Sequence, residues 1–136
     1  IRHGSTMDAR LREMAILQVG WLARSPYEWS HHVKIGFDFG VSKDDIRKLI
    51  AETDGEDTDL AAIDKTVLRA AREITLDGKV SSKTFAVLEA HFSKEHLIDL
   101  LVTMAFYNAV VRFLASTEMD VEESYQPYLE QFPLPK

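Results

Sequence analysis

Three side chains in the first third of the chain have the types and spacing of an acid/base site. Glu28 and His32 are four residues apart, so on a helix they lie on one face. Imidazole is the usual general acid or base near neutral pH, and a carboxylate one turn away would fix its tautomer and stabilise its protonated form. Glu13 lies in an apolar stretch near Arg10, where a carboxyl group can exchange protons near neutral pH. These residues predict a proton-transfer site between two helices.

Each of these side chains also has a structural interpretation that the sequence leaves open. Glu13 could form a surface ion pair with Arg10 at the edge of the apolar stripe. Glu28 could be the second half of a capping box that begins at Ser25. His32 could be a core histidine that hydrogen-bonds a neighbouring group.

The residues near His32 narrow the kind of site that is expected. His31 points about 100° away around the helix, so we expect it to be peripheral. Gly36 lies one turn after His32 and leaves room for a substrate or a crossing helix. A metal site would need a second histidine, and His91 and His96, five residues apart, do not have the spacing of helical ligands. We therefore predict neither a metal nor another cofactor.

Apolar periodicity and helix-capping signals predict six helices and no strand. The predicted helices span residues 8–23, 25–39, 42–52, 60–75, 81–90 and 93–116. The expected fold class is all-α, with one domain over residues 1–136, a core at about 8–116 and an extended, proline-containing tail at 117–136. Residues 40–50 resemble residues 91–101, a weak internal repeat that duplication or similar helix capping would produce.

Composition excludes several classes of function. The chain has 136 residues and a net charge of −6, so we expect no nonspecific binding to nucleic acid. It has no cysteine, which excludes disulfides, thiolate catalysis and cysteine-ligated metals among its own residues. The absence of cysteine fits the reducing cytoplasm, and no signal peptide pattern opens the chain. A cytoplasmic protein is therefore expected.

The predicted sixth helix is apolar almost all round. Asp99, Asn108 and Arg112 interrupt it, so we expect a buried helix rather than one that spans a membrane. Its surplus of apolar residues predicts a surface that binds another copy of the chain. Tyr107 and Asn108 lie in this helix, and the buried amide of Asn108 must bond a neighbouring helix or line a pocket.

Several segments together resemble the carboxymuconolactone decarboxylase family, which shares its fold with the alkylhydroperoxidase D antioxidant proteins. The segments are residues 11–17, 27–29 and 40–42, together with His32 and Ile46. The resemblance extends over about 8–115 and is sharpest over 11–50. It implies a six-helix, alkylhydroperoxidase D-like bundle that forms homo-oligomers, as trimers or hexamers.

The resemblance also separates two branches of chemistry. The antioxidant branch uses a Cys-x-x-Cys pair, a histidine and an upstream glutamate, and in this chain Glu13 and His32 match the last two. Ser25 and Glu28 occupy the two cysteine positions, so a peroxidase activity is disfavoured. The decarboxylase branch implies a cofactor-free lyase that acts on a small carboxylated lactone or related organic acid from aromatic catabolism.

The implied mechanism gives each site residue a role. His32 would act as general acid/base on the carbon next to a conjugated carbonyl, Glu28 would orient it, and Glu13 would relay a proton or hydrogen-bond the substrate. The substrate carboxylate would need a cation. The candidates for substrate binding are Arg10, Arg24, Lys34, Tyr107 and Asn108. The alternative function is a non-catalytic, oligomeric binding protein that has the same fold.

Overall fold

The computed structural model describes residues 6–135, which form seven α-helices and one short 3-10 helix and contain no strand. The helices are α1 (Ala9–Ala23), α2 (Pro26–Asp38), α3 (Lys43–Thr53), α4 (Ala62–Asp77), α5 (Ser82–His91), α6 (Lys94–Ser116) and α7 (Gln126–Gln131), and the 3-10 helix is Glu123–Tyr125. The predicted all-α fold is confirmed. Residues 1–5 and Lys136, the ends of the predicted domain, lie outside the described residues.

Serine caps start three of the helices where the sequence predicts them. The Ser42 side chain accepts a hydrogen bond from the Asp45 backbone, and the Asp45 side chain accepts one from Ser42, so α3 begins with a complete capping box. Ser81 and Ser93 cap α5 and α6 through the same side-chain contact. The two segments of the weak repeat are the starts of α3 and α6, so similar capping is sufficient to explain their resemblance.

Helix α1 is the centre of the protein, because every residue from 11 to 21 is buried. One face of α1 packs on α4 and α6, on which α5 packs in turn, and the shared apolar cluster includes Ala15, Val67, Leu88 and Met104. The other face packs on α2, α3 and the C-terminal segment through a second cluster. That cluster includes Met14, Leu17, Trp29, Val33, Ile46, Leu49 and Phe132. A polar side chain within residues 11–21 of α1 is therefore surrounded by protein.

The structure corrects two expectations about the second half of the chain. The tail is not extended throughout, since it contains the 3-10 helix and α7, and Pro127 lies in the first turn of α7, where proline is tolerated. Helix α6 is not a buried helix in this chain. Only five of its 23 residues are buried, and it is long and apolar enough to cross a membrane by length and composition alone.

Candidate acid/base site

Helices α1 and α2, which hold the site, pack closely together at Gly36 of α2. A Cβ atom added to Gly36 would lie 3.3 Å from Val41 Cβ and 3.5 Å from Leu17 Cδ1. The space beside Gly36 is therefore filled by protein rather than left for a substrate. The Gly36 carbonyl also accepts a hydrogen bond from the Val41 backbone at 2.8 Å, which turns the chain from α2 toward α3.

The site is a histidine held between two glutamates. His32 Nδ1 lies 2.8 Å from Glu13 Oε2, across the α1–α2 interface, and His32 Nε2 lies 2.6 Å from Glu28 Oε1, one turn earlier on α2. Their exposed fractions are 4% for His32, 5% for Glu28 and 0% for Glu13. The structure thus brings together all three predicted acid/base residues.

This arrangement favours the protonated form of His32. A neutral imidazole has one N–H, so it can donate to one carboxylate only, whereas the imidazolium ion donates to both. Burial lowers the pKa of His32, but the hydrogen bonds and negative charges of Glu13 and Glu28 outweigh burial and raise the pKa above its ordinary value. A protonated His32 between two carboxylates is consistent with both short contacts. Such a group can deliver a proton to a reacting carbon and take one back.

The alternative prediction for Glu28, that it is the second half of a capping box with Ser25, is wrong. Ser25 is the N-cap of α2 and Pro26 lies in its first turn, but the Ser25 side chain makes no capping hydrogen bond. The Glu28 carboxylate instead contacts His32. The capping pattern predicts the start of the helix correctly, while the glutamate belongs to the site.

The alternative prediction, an ion pair between Glu13 and Arg10, is also wrong. Arg10 donates to Asp45 on α3 and to Asp64 on α4, at distances of 2.7 to 3.0 Å, and these contacts raise its pKa. The arginine beside Glu13 is Arg12, whose Nε lies 3.5 Å from Glu13 Oε1. No site role was predicted for Arg12, although an arginine inside the apolar run next to Glu13 was a usable signal.

The two candidates on α6 are placed differently. The Tyr107 ring meets the His32 ring edge to face, with 5.1 Å between the ring centres. The side-chain nitrogen of Asn108 donates to Thr75 Oγ1 and to the Met104 carbonyl, and its oxygen accepts from Arg112. Tyr107 is therefore part of the site, and the Asn108 amide joins α6 to α4.

A cleft of about 320 Å³ opens between the start of α2 and the end of α6. Arg24, Ser25 and Tyr27 line it on one side, and Leu114 and Met119 are among the residues on the other. Arg24 caps the end of α1 in the left-handed conformation, with φ of 53°. Lys34, the other predicted cation, pairs with Asp38 on the surface. Of the predicted cations, Arg24 is thus the one that lines this cleft.

His31 belongs to a second cluster, which sequence reasoning missed. Its ring stacks between Tyr27 and Tyr125, at ring-centre distances of 4.2 and 3.8 Å, and its Nε2 lies 2.8 Å from Glu122 Oε2. Tyr27 precedes His31 by four residues and was a local signal, but Tyr125 and Glu122 are more than 90 residues away in the chain.

Residues 6–135 contain no group of three or more His, Asp or Glu side chains arranged to hold a metal ion. A model of the Carboxymuconolactone decarboxylase family matches residues 1–73. The match includes Glu13, Glu28 and His32, and it ends before Tyr107 and Asn108. No curated protein and no solved structure matched the chain.

Proposed function

Because this chain belongs to the carboxymuconolactone decarboxylase family, we propose that it is a cofactor-free acid/base enzyme. Its reaction is decarboxylation or proton transfer on a small carboxylated lactone or a related organic acid. The observation that supports this most is the placement of His32 between Glu13 and Glu28 in the buried interface of α1 and α2. The chain has no thiol of its own for peroxide reduction.

The proposed mechanism uses the protonated form of His32, which the two carboxylates favour. In the substrate, the bond to the carboxylate breaks, CO2 leaves, and the electron pair passes into an enolate conjugated with the lactone carbonyl. The enolate carbon then takes a proton from the His32 imidazolium, and solvent returns a proton to the imidazole. Glu13 and Glu28 orient the ring and stabilise its charged form before and after this step.

The cleft beside α2 is the proposed substrate site. Its volume of about 320 Å³ falls in the range of pockets for small organic molecules. Arg24 would pair with a substrate carboxylate, and Tyr27 lies next to Glu28 in the chain. The side chain of Tyr107 packs on the His32 ring, so α6 contributes residues both to the cleft and to the surroundings of the imidazole. Asn108 and Arg10 have structural roles in this proposal.

The experiment is turnover of a panel of carboxylated lactones and β-keto acids by wild type, His32→Gln and His31→Gln. Released CO2 and incorporation of solvent deuterium are both measured. We expect turnover by wild type and His31→Gln, and a loss of roughly 10²- to 10⁴-fold in His32→Gln. Unchanged turnover in a folded His32→Gln would rule out the mechanism.

One observation favours a second candidate, a non-catalytic binding protein. His32 is only 4% exposed, so its ring does not face open solvent in this chain. Saturable binding of a panel compound, with no CO2 release and no deuterium exchange by wild type, would favour this alternative.

We also propose that the protein is a homo-oligomer assembled through α6. Ile98, Val102, Phe106 and Phe113 lie on one stripe of this helix and are 49%, 44%, 52% and 67% exposed. Large apolar stripes of this kind are covered in stable proteins, and an interface there would lie next to Tyr107 and hence beside the site. A trimer or a hexamer is expected from the family resemblance.

The oligomer is tested by the mass in solution of wild type, Phe106→Glu and a matched variant, Leu76→Glu on α4. Leu76 is equally apolar and 67% exposed but lies on another helix. We expect dissociation by Phe106→Glu and no dissociation by Leu76→Glu. A monomeric wild type would contradict the proposal, and binding of that monomer to lipid vesicles would assign the stripe to a membrane.

A further inference from the structure

Arg12 is buried beside the acid/base site, although arginine is almost never buried without a partner. It is 3% exposed, and its Nε lies 3.5 Å from Glu13 Oε1. The guanidinium carbon lies 5.3 Å from the centre of the Phe39 ring. Phe39 is the C-cap of α2, where the helix dipole favours a positive charge. Arg12 therefore connects the Glu13 carboxylate to the end of the helix that holds His32.

We propose that Arg12 is a positioning residue of the acid/base site. It holds the Glu13 carboxylate and supplies the positive charge that balances the two glutamates around the imidazolium. With His32 protonated, the cluster contains two carboxylates and two cations, so its net charge is zero. A balanced buried cluster is far less costly than one with an unpaired charge. The kinetic part of this inference rests on the proposed function, and the charge balance does not.

The two oxygens of Glu13 have different surroundings. Oε2 accepts the hydrogen bond from His32 Nδ1, whereas Oε1 has no hydrogen-bond partner among residues 6–135 and faces Arg12. A buried carboxylate oxygen is stabilised by a nearby guanidinium even beyond hydrogen-bond distance, because charges interact strongly away from water. Arg12 thus attracts Oε1 of Glu13, so that Oε2 of the same carboxylate points at the imidazole of His32.

The charge of Arg12 opposes the protonation of His32. The groups that face this ring are Glu13 from α1, Glu28 from α2 and the Tyr107 ring from α6, and Arg12 reaches the ring only through Glu13, whose Oε1 it contacts. Two carboxylates favour the imidazolium and the guanidinium disfavours it. Without Arg12, His32 would keep its proton to higher pH. Arg12 therefore tunes the pH at which His32 can change its protonation state.

The test is an NMR titration of the His32 ring nitrogens in wild type, Arg12→Gln, Arg12→Lys and the control Arg47→Gln, an exposed position on α3. We expect the titration midpoint to move to higher pH in Arg12→Gln and to stay near wild type in Arg12→Lys and Arg47→Gln. The pH profile of kcat/KM, which reports the groups of the free enzyme, should move in the same direction as the midpoint. An unchanged midpoint in a folded Arg12→Gln would overturn the proposal.

A second measurement needs no variant. In wild type, the Arg12 Nε–H resonance should change with the same midpoint as His32, because the two groups share Glu13. A resonance that does not follow this midpoint would also overturn the proposal. Both titrations are made without substrate, so they test Arg12 even if no panel compound is turned over. Turnover without these shifts would support the proposed function and reject the role of Arg12.

Discussion

His31 and His32 are neighbours in α2, and each has a ring nitrogen 2.8 Å from a glutamate oxygen, yet their surroundings differ. His32 is buried, and both of its ring nitrogens face carboxylates. The side chain of His31 is 19% exposed, lies between two tyrosine rings and contacts one carboxylate, that of Glu122. The rotation of about 100° between successive helical residues is enough to separate the two environments.

The comparison shows what an imidazole contributes in each place. Next to water, electrostatic interactions are screened, so the ring of His31 stabilises the protein mainly through stacking. It fastens the C-terminal segment, residues 122–134, to α2, and Trp29 adds a hydrogen bond of 2.8 Å to the Phe132 carbonyl. In the interior, the charge of His32 is the dominant property, because the two carboxylates are away from solvent.

The largest effect should come from removing the buried imidazole. His32→Ala leaves Glu13 and Glu28 facing each other without a cation between them. We expect a loss of roughly 3–5 kcal/mol in the free energy of unfolding, the cost of an unpaired buried charge. Urea unfolding at neutral pH measures it. A loss below that of His31→Ala would contradict the contrast between the two histidines.

A double variant should show that repulsion causes this loss. Adding Glu28→Gln to His32→Ala removes one of the two facing charges. We expect the double variant to regain about 1–2 kcal/mol relative to His32→Ala, as a coupling between contacting residues. The matched control adds Glu123→Gln, in the exposed 3-10 helix, to the same background, and it should regain nothing. Equal recovery in both doubles would mean that net charge, not local repulsion, sets the loss.

Local sequence patterns predict contacts between residues close in the chain, such as Glu28 with His32, but they do not predict contacts between distant segments. The i, i+4 spacing of Glu28 and His32 needs no knowledge of the rest of the fold, and neither do the serine caps of α3, α5 and α6. The alternative of an ion pair between Arg10 and Glu13 depends on their nearness in sequence, and it is wrong. The actual partners of Arg10, Asp45 and Asp64, are 35 and 54 residues away and depend on how α3 and α4 pack.

Two expectations, an extended tail and a buried α6, are wrong for related reasons, although the helix itself lies where it is predicted. Prolines predicted an extended tail, although Pro127 fits the first turn of α7. The residues that hold this segment on α2, Phe132 and Tyr125, meet partners about 100 residues earlier in the chain. Apolar composition gave α6 its helical character but could not say whether its own chain or another copy covers it.

His31→Ala should have a smaller effect that is confined to the C-terminal segment. It removes two ring stacks, each worth about 0.5–1.5 kcal/mol, so we expect a loss of about 1–3 kcal/mol. Hydrogen exchange should become faster in residues 122–134 and stay unchanged in α1. His31→Phe, which keeps a ring for stacking but has no charge, serves as the control and should protect most of the segment. Equally fast exchange in α1 would show that His31 supports the whole core.

The smallest expected effect is the change in the free energy of unfolding with pH. Its sign should differ between the His32 and Glu122 contributions. The pKa of His32 is raised above 6.5, so its contribution to stability is complete below pH 6.5 and is lost as the pH rises through the folded pKa. The hydrogen bond to His31 lowers the pKa of Glu122 below 4.5, so its contribution is present above pH 4.5 and is lost as the pH falls through the folded pKa.

The two contributions are separated by unfolding wild type, His32→Gln and Glu122→Gln from about pH 3 to about pH 9. The stability difference between wild type and His32→Gln should shrink on the alkaline side, and that between wild type and Glu122→Gln on the acid side. Salt should weaken the Glu122 effect, because that carboxylate is half exposed, and leave the buried His32 effect nearly unchanged. If both differences shrank on the same side, the raised pKa of His32 and the lowered pKa of Glu122 could not both be correct.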